Sequence, residues 1–198
     1  MNPATLRMLP PQENSDGIPH LAGPASEARQ VLAAHFLRGI DHILEIGGHL
    51  LPITAFLTHA PRSVTSIDPK TPPLEAEELN GRPCRVRHIA RKFQQVEVDY
   101  EPGSYALVML GCSLKPFGSQ DAVGQRLLRL VDNARRVVLD YAPALDRAMD
   151  AVPQLLGRPG LTELCSFELV LKDPAIAASP YAARRLHVLE RKFPLGHG

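Results

Sequence analysis

Apolar positions along this chain fall into short unbroken runs separated by stretches with helical spacing. Ile43, Leu44 and Ile46 form one such run, which stops at Gly47-Gly48. A run without polar alternation is the mark of a parallel strand covered on both faces. Further runs predict strands at Ser63–Ile67, about Cys84–Ile89, Tyr105–Leu110 and Arg136–Asp140. Helical spacing appears between them. Ala28, Val31, Leu32 and Phe36 repeat after Ser26, a plausible cap, and Gly39 closes that helix. Ile53, Phe56 and Leu57 repeat after Pro52, which suits a first helical turn. Val123, Leu127, Leu130 and Val131 repeat after Ser119, and Ala144–Leu156 reads as a helix interrupted by Pro153. Pro72-Pro73 through Glu78 reads as an acidic loop and short helix. Two closing strands, Leu164–Leu171 and Leu186–Arg191, flank a loop rich in Pro and Ala. Strands alternating with helices predict an α/β fold built on a mostly parallel sheet, with helices on both faces.

Composition narrows the picture. The chain has 198 residues, of which 44% are hydrophobic, enough for one domain with a sizeable core. That domain is assigned to residues 25–198. Residues 1–24 form an arm: Met1–Gly17 lacks periodicity, and Ile18–Pro24 leads into the domain. The formal net charge is +1, so no global field selects nucleic acid or an anionic membrane. No apolar run approaches the roughly 18 residues of a membrane helix, and the start of the chain has no continuous apolar leader. Three cysteines without C-x-x-C spacing argue against a disulfide framework and for a cytoplasmic setting. The histidines show no metal-binding pair, so no metal is expected.

The order strand, glycine turn, helix, strand, acid from His42 to Asp68 carries the functional signal. From Gly47 to Asp68 is 68 − 47 = 21 residues, close to the roughly 20 between a nucleotide-binding turn and the acid that holds its ribose. The G-x-G-x-x-G spacing of a dinucleotide turn fails here. The segment Glu45-Ile-Gly-Gly-His-Leu-Leu51 instead resembles motif I of the class I S-adenosylmethionine-dependent methyltransferases, which place an acid two residues before the first glycine. Glu45 and Gly47 match the motif. His49 and Leu51 stand where further glycines are usual, and Gly48 is out of phase. The resemblance implies a seven-stranded sheet of order 3-2-1-4-5-7-6 with the last strand antiparallel. It also implies S-adenosylmethionine as cofactor, with Glu45, Gly47, Gly48 and His49 at the turn and Asp68 on the ribose. Members often carry an acid after the third strand. Here Ala90-Arg91 stands there, leaving a backbone contact at Ala90. Gly111, at the end of the fourth strand, completes the cofactor-binding set.

The same edge of the sheet supplies the candidates for chemistry: Cys112, Ser113, Lys115, Asp140 and Tyr141, with His20 reaching in from the arm. Tyr141, Cys112 and His20 are the catalytic candidates, each set against a bland role: ring packing, a small buried thiol and a surface histidine. The basic run Arg82–Lys92 suggests a phosphate or RNA contact. It also suits an edge strand blunted by charge, and it lacks aromatic interleaving, so nucleic acid is disfavoured. The expected activity is methyl transfer to a small molecule. The alternatives are a catalytically inactive partner subunit of the same fold, or an RNA methyltransferase. Oligomeric state is open, a homodimer being one arrangement.

Overall fold

The structure is a computed structural model that describes residues 24–110, 121–146, 151–170, 172, 177–179 and 182–193. Its elements are α1 (Pro24–Phe36), β1 (His42–Ile46), β2 (Ser63–Ile67), β3 (Leu74–Leu79), β4 (Arg82–Ile89), β5 (Tyr105–Met109), α2 (Ala122–Asn133), β6 (Arg136–Tyr141), α3 (Pro143–Asp146), α4 (Ala151–Leu156), β7 (Leu161–Val170) and β8 (Ala183–Arg191). Among the described residues the strands form one eight-stranded sheet of order β3-β4-β2-β1-β5-β6-β8-β7. Pairings β4/β2, β2/β1, β1/β5 and β5/β6 are parallel, whereas β8 runs antiparallel to both β6 and β7. Without β3 this is the expected order 3-2-1-4-5-7-6 with its last strand antiparallel.

The eighth strand corrects the sequence reading. Leu74–Leu79 is the antiparallel partner of β4, not a loop and short helix. Its cause is the dipeptide Asn80-Gly81, whose φ angles are +55° and +73°. Two successive positive φ values define the hairpin turn whose twist matches that of paired strands. The third parallel strand, β4, is therefore interior rather than an edge. One of its arginines lies beside an acid: Glu75 opposes Arg87 in register, at 3.4 Å.

A second correction concerns the crossover from β1 to β2. Instead of a helix over Ile53–Leu57 there is one 3-10 turn, Ile53–Ala55. Ile53 and Leu57 are still buried, so the apolar spacing reports burial without helix length. The first helix starts at Pro24, which places Ser26 inside its first turn. Its buried face is Arg29, Gln30, Ala33 and Ala34, continued by Leu37 just past its end, while Val31 is 56% exposed. Ser119 lies outside the described residues, and Asp121 caps α2 by accepting from the Gly124 N–H at 2.8 Å. The closing strands begin earlier than expected, at Leu161 and Ala183.

Side chains alternate between two cores, one on each face of the sheet. Ala33 and Ala34 of α1, with Leu37 just after it, pack with Ile43, Val64, Val108 and Val138 on one face. Leu127, Leu130 and Val131 of α2 pack with Leu44, Leu107, Met109 and Leu139 on the other. Helices thus cover both faces, and the carboxyl ends of the parallel strands line up along one rim of the sheet.

Candidate functional site

The rim is organised by the turn after β1. Glu45 faces the α1 side of the sheet and is fully buried. Both of its carboxylate oxygens lie 3.0 Å from the Ile53 N–H, and Oε2 accepts from the Ser66 hydroxyl at 2.6 Å. Burial pushes this carboxyl up to about 7, against the pull of those two hydrogen bonds, and the Asp68 charge adds to the rise. The backbone of Gly48 lies directly over it. A Cβ there would sit 2.5 Å from Ser66 Oγ and 2.7 Å from Glu45 Oε2. Gly48 is therefore glycine because of the floor beneath the turn.

Flanking residues take the left-handed backbone: Gly47 at φ +88° and His49 at φ +52°. His49 stands where the motif has glycine and adopts a glycine-like conformation, which histidine tolerates. Burial lowers its imidazole pKa, and the nearby Asp68 carboxylate opposes that shift. The turn is fastened on several sides. Gly47 N–H donates to Ile67 O at 3.0 Å, the Thr71 hydroxyl donates to His49 O, and Gln30 of α1 donates to Leu51 O. Leu50 and Leu51 remain exposed beside it.

Asp68 follows β2 and is half-buried, with Oδ1 accepting from the Lys70 N–H at 2.7 Å. Ala90 follows β4 and is exposed. The structure thus brings Glu45, Gly47, Gly48, His49, Asp68 and Ala90 to the carboxyl ends of three neighbouring strands. Gly111, Cys112, Ser113, Lys115 and His20 lie outside the described residues.

Chains with this architecture are known. No protein-family model matches the sequence, and no curated protein matches it. Solved structures do. The N-methyltransferase NodS from Bradyrhizobium japonicum WM9, in complex with S-adenosyl-L-homocysteine, is similar over 90% of each chain at 17% identity, with a TM-score of 0.57. The chain has the class I S-adenosylmethionine-dependent methyltransferase fold. A 1,6-didemethyltoxoflavin-N1-methyltransferase from Burkholderia thailandensis is similar over 84% of this chain and 80% of that one, at 18% identity and TM-score 0.52. The 23S rRNA methyltransferase ErmE is similar over 89% and 72% at 15% identity, with TM-score 0.51. At such identities the methyltransferase likeness is one of fold.

The far half of the rim departs from the sequence reading at Asp140. This carboxylate is not a free rim group. It is buried, paired with Arg29 of α1, and bound by Arg184 of β8 through Nε at 2.9 Å and a second guanidinium nitrogen at 2.7 Å. Arg29 also donates to Leu110 O at 3.1 Å. Tyr141 lies half-buried on the opposite face, where its hydroxyl is 3.4 Å from His187 Nε2. His187 Nδ1 is in turn 2.6 Å from Glu163 Oε1. Sequence reasoning missed Arg29, Arg184, His187 and Glu163. Arg29 interrupts an apolar helical pattern, and His187 interrupts the apolar run Leu186–Leu189. Each polar intrusion into a buried pattern was the available signal.

Proposed function

We propose that this chain is an S-adenosylmethionine-dependent methyltransferase acting on a small molecule. The observation that carries this reading is the turn after β1. Its left-handed residues Gly47 and His49 and its Cβ-free Gly48 lie flat on Glu45, with Asp68 ending the neighbouring strand. These residues fit the cofactor. A carboxylate at the end of β2 suits two ribose hydroxyls, and a turn pressed onto its floor presents backbone rather than side chains. When bound, S-adenosylmethionine supplies a methyl group already activated on a sulfonium. Asp68 and the 47–51 turn would hold it, and Ala90 would offer a backbone contact near the adenine. The protein's remaining work is to position the acceptor and exclude water.

Calorimetric titration with S-adenosylmethionine and with its demethylated product tests this directly. Binding of both is expected. Asp68→Ala should weaken it by about 1.5–3 kcal/mol, as for a hydrogen bond to a charged group, with folding retained. A parent protein that binds neither ligand overturns the proposal. Unchanged affinity in a folded Asp68→Ala variant overturns the assignment of Asp68.

Pairing of the basic strand β4 with the acidic strand β3 supports a small acceptor over RNA. Glu75 opposes Arg87 in register at 3.4 Å, and Glu77 and Glu78 lie on the same strand, which offsets the field a phosphate backbone would need. RNA affinity with a steep salt dependence would reverse that preference.

A further inference from the structure

We propose that β7 is a self-association edge, on which a second copy of this chain adds its own β7 antiparallel about a two-fold axis. The inference stands apart from the methyl-transfer reading. β7 spans Leu161–Val170, ten residues. Among the described residues it pairs with β8 alone. Its outer side therefore carries a row of backbone N–H and C=O groups that no strand of this sheet meets. Leu164 and Val170 are 48% and 50% exposed along it. Cys165 and Phe167 pack against the core beneath α1 and stay half-buried, as does Leu169. Ser166 and Glu168, on the other face, are exposed.

What selects a second copy as the occupant is the pattern of charge along the two edges. A two-fold axis perpendicular to the sheet keeps every side chain on its own face, so residues opposed across the axis must share a face. At the opposite edge, β3 carries Glu75, Glu77 and Glu78. Every such self-pairing of β3 that overlaps beyond an end residue sets glutamate against glutamate, which is destabilising. That edge is guarded by charge. β7 is not. Leu164 is the extra residue of a bulge, because Glu163 opposes Leu189 while Cys165 opposes the adjacent Val188. The regular stretch is thus Cys165–Val170. Pairing centred on Glu168 would oppose that carboxylate to its own copy. Centred on Ser166, the overlap clear of the bulge shrinks to Cys165–Phe167. Centred on Phe167, it runs from Cys165 to Leu169 with no like charges opposed. Cys165 then meets Leu169 and Phe167 meets Phe167 on one face. On the other, the Ser166 hydroxyl faces the Glu168 carboxylate and donates to it. Exposed Val170 falls against the bulge residue Leu164 of the second copy. So short a pairing lies at the low end of specific interfaces, and the dimer should dissociate in the micromolar range.

Sedimentation velocity of the full chain, from about 1 to about 300 µM, measures the association. Ser166 is exposed, so its variants should keep the parent's urea midpoint. Ser166→Glu sets a carboxylate against Glu168 at both symmetric positions and should weaken the dimer roughly tenfold. Ser166→Lys sets an ammonium there and should tighten it by a similar factor. Adding Glu168→Lys to Ser166→Glu restores opposite charges and should recover the parent's affinity. A parent that stays monomeric throughout the range overturns the proposal. A dimer indifferent to both Ser166 variants has its interface elsewhere and overturns it too. If Ser166→Lys weakens the dimer as Ser166→Glu does, Ser166 meets its own copy, and the pairing about Phe167 is wrong. Should Ser166→Glu fail to fold, Ser166→Lys decides alone: tightening supports the pairing, and any other result overturns it.

Discussion

Glu45 shows how one side chain ties the stability of the chain to the shape of its candidate site. Its carboxyl is raised from an ordinary 4.5 to about 7. The folded state therefore holds a proton that the unfolded chain releases as pH rises through 4.5. Stability falls across the window from about 4.5 to 7 and levels off above it, the reverse of a salt-bridged acid. The lost contribution is on the order of 3 kcal/mol, at 1.36 kcal/mol per pKa unit. Glu45→Gln should flatten that part of the stability–pH curve, measured by urea midpoints between pH 5 and pH 8. An unchanged slope would show that another group dominates it. Gly48 gives the matching steric prediction. Gly48→Ala must move Ser66 or Glu45, since its Cβ would lie 2.5 Å from Ser66 Oγ. It should cost about 1–3 kcal/mol, as overpacking does. In the sequence, Gly48 was legible only as a glycine out of phase with a motif. Its reason is the Glu45–Ser66 pair, and nothing in the order of residues announces that contact. His49 is the converse case. Its departure from the motif was plain, and its left-handed backbone shows that the turn absorbs the histidine without changing shape.

At the scale of elements, periodicity located buried positions well and element types less well. Ile53, Phe56 and Leu57 are three points on a helical pattern, too few to separate a helix from one 3-10 turn whose first N–H is held by Glu45. Pro61 closes the segment and restricts Ala60 before it. The hairpin β3–β4 was legible in Asn80-Gly81, but the glutamates before it looked helical because they lack an apolar alternation. An edge strand with little of its surface buried has no reason to alternate. Gly81 takes φ +73° with open space around its Cβ position, so only backbone conformation opposes a side chain there. Gly81→Ala should cost about 1–2 kcal/mol, the price of a left-handed L-residue, read from the denaturant midpoint. A neutral result would mean that the hairpin turn relaxes to another type.

Across the whole molecule, the buried cluster of Arg29, Asp140 and Arg184 joins α1, β6 and β8, elements far apart in sequence. Sequence reading put Asp140 at the rim, because a carboxylate ending a parallel strand is usually there for a ligand. It missed the cluster because each arginine is remote from its partner: the Arg29–Asp140 contact spans 111 residues and the Arg184–Asp140 contact 44. The same remoteness explains why Val31 was assigned to the buried face of α1. Arg29 and Gln30 turn that face inward toward Asp140 and Leu51, and leave Val31 in solvent. Burial lowers the Arg29 guanidinium pKa while Asp140 opposes the shift. Two guanidiniums thus share one carboxylate away from water. Removing the carboxylate leaves two like charges buried without it, a loss of about 3–5 kcal/mol for a broken buried pair. Asp140→Ala is therefore expected to be far more damaging than any rim substitution that touches only the cofactor. Replacing all three residues together, with Met at 29 and 184 and Leu at 140, removes the charges as well as the bonds. Such replacement is often neutral or stabilising, so the triple variant should recover most of the stability lost by Asp140→Ala. Urea unfolding of the single and triple variants decides the matter. A triple variant as unstable as the single one would show that the arginines hold the fold through contacts other than Asp140.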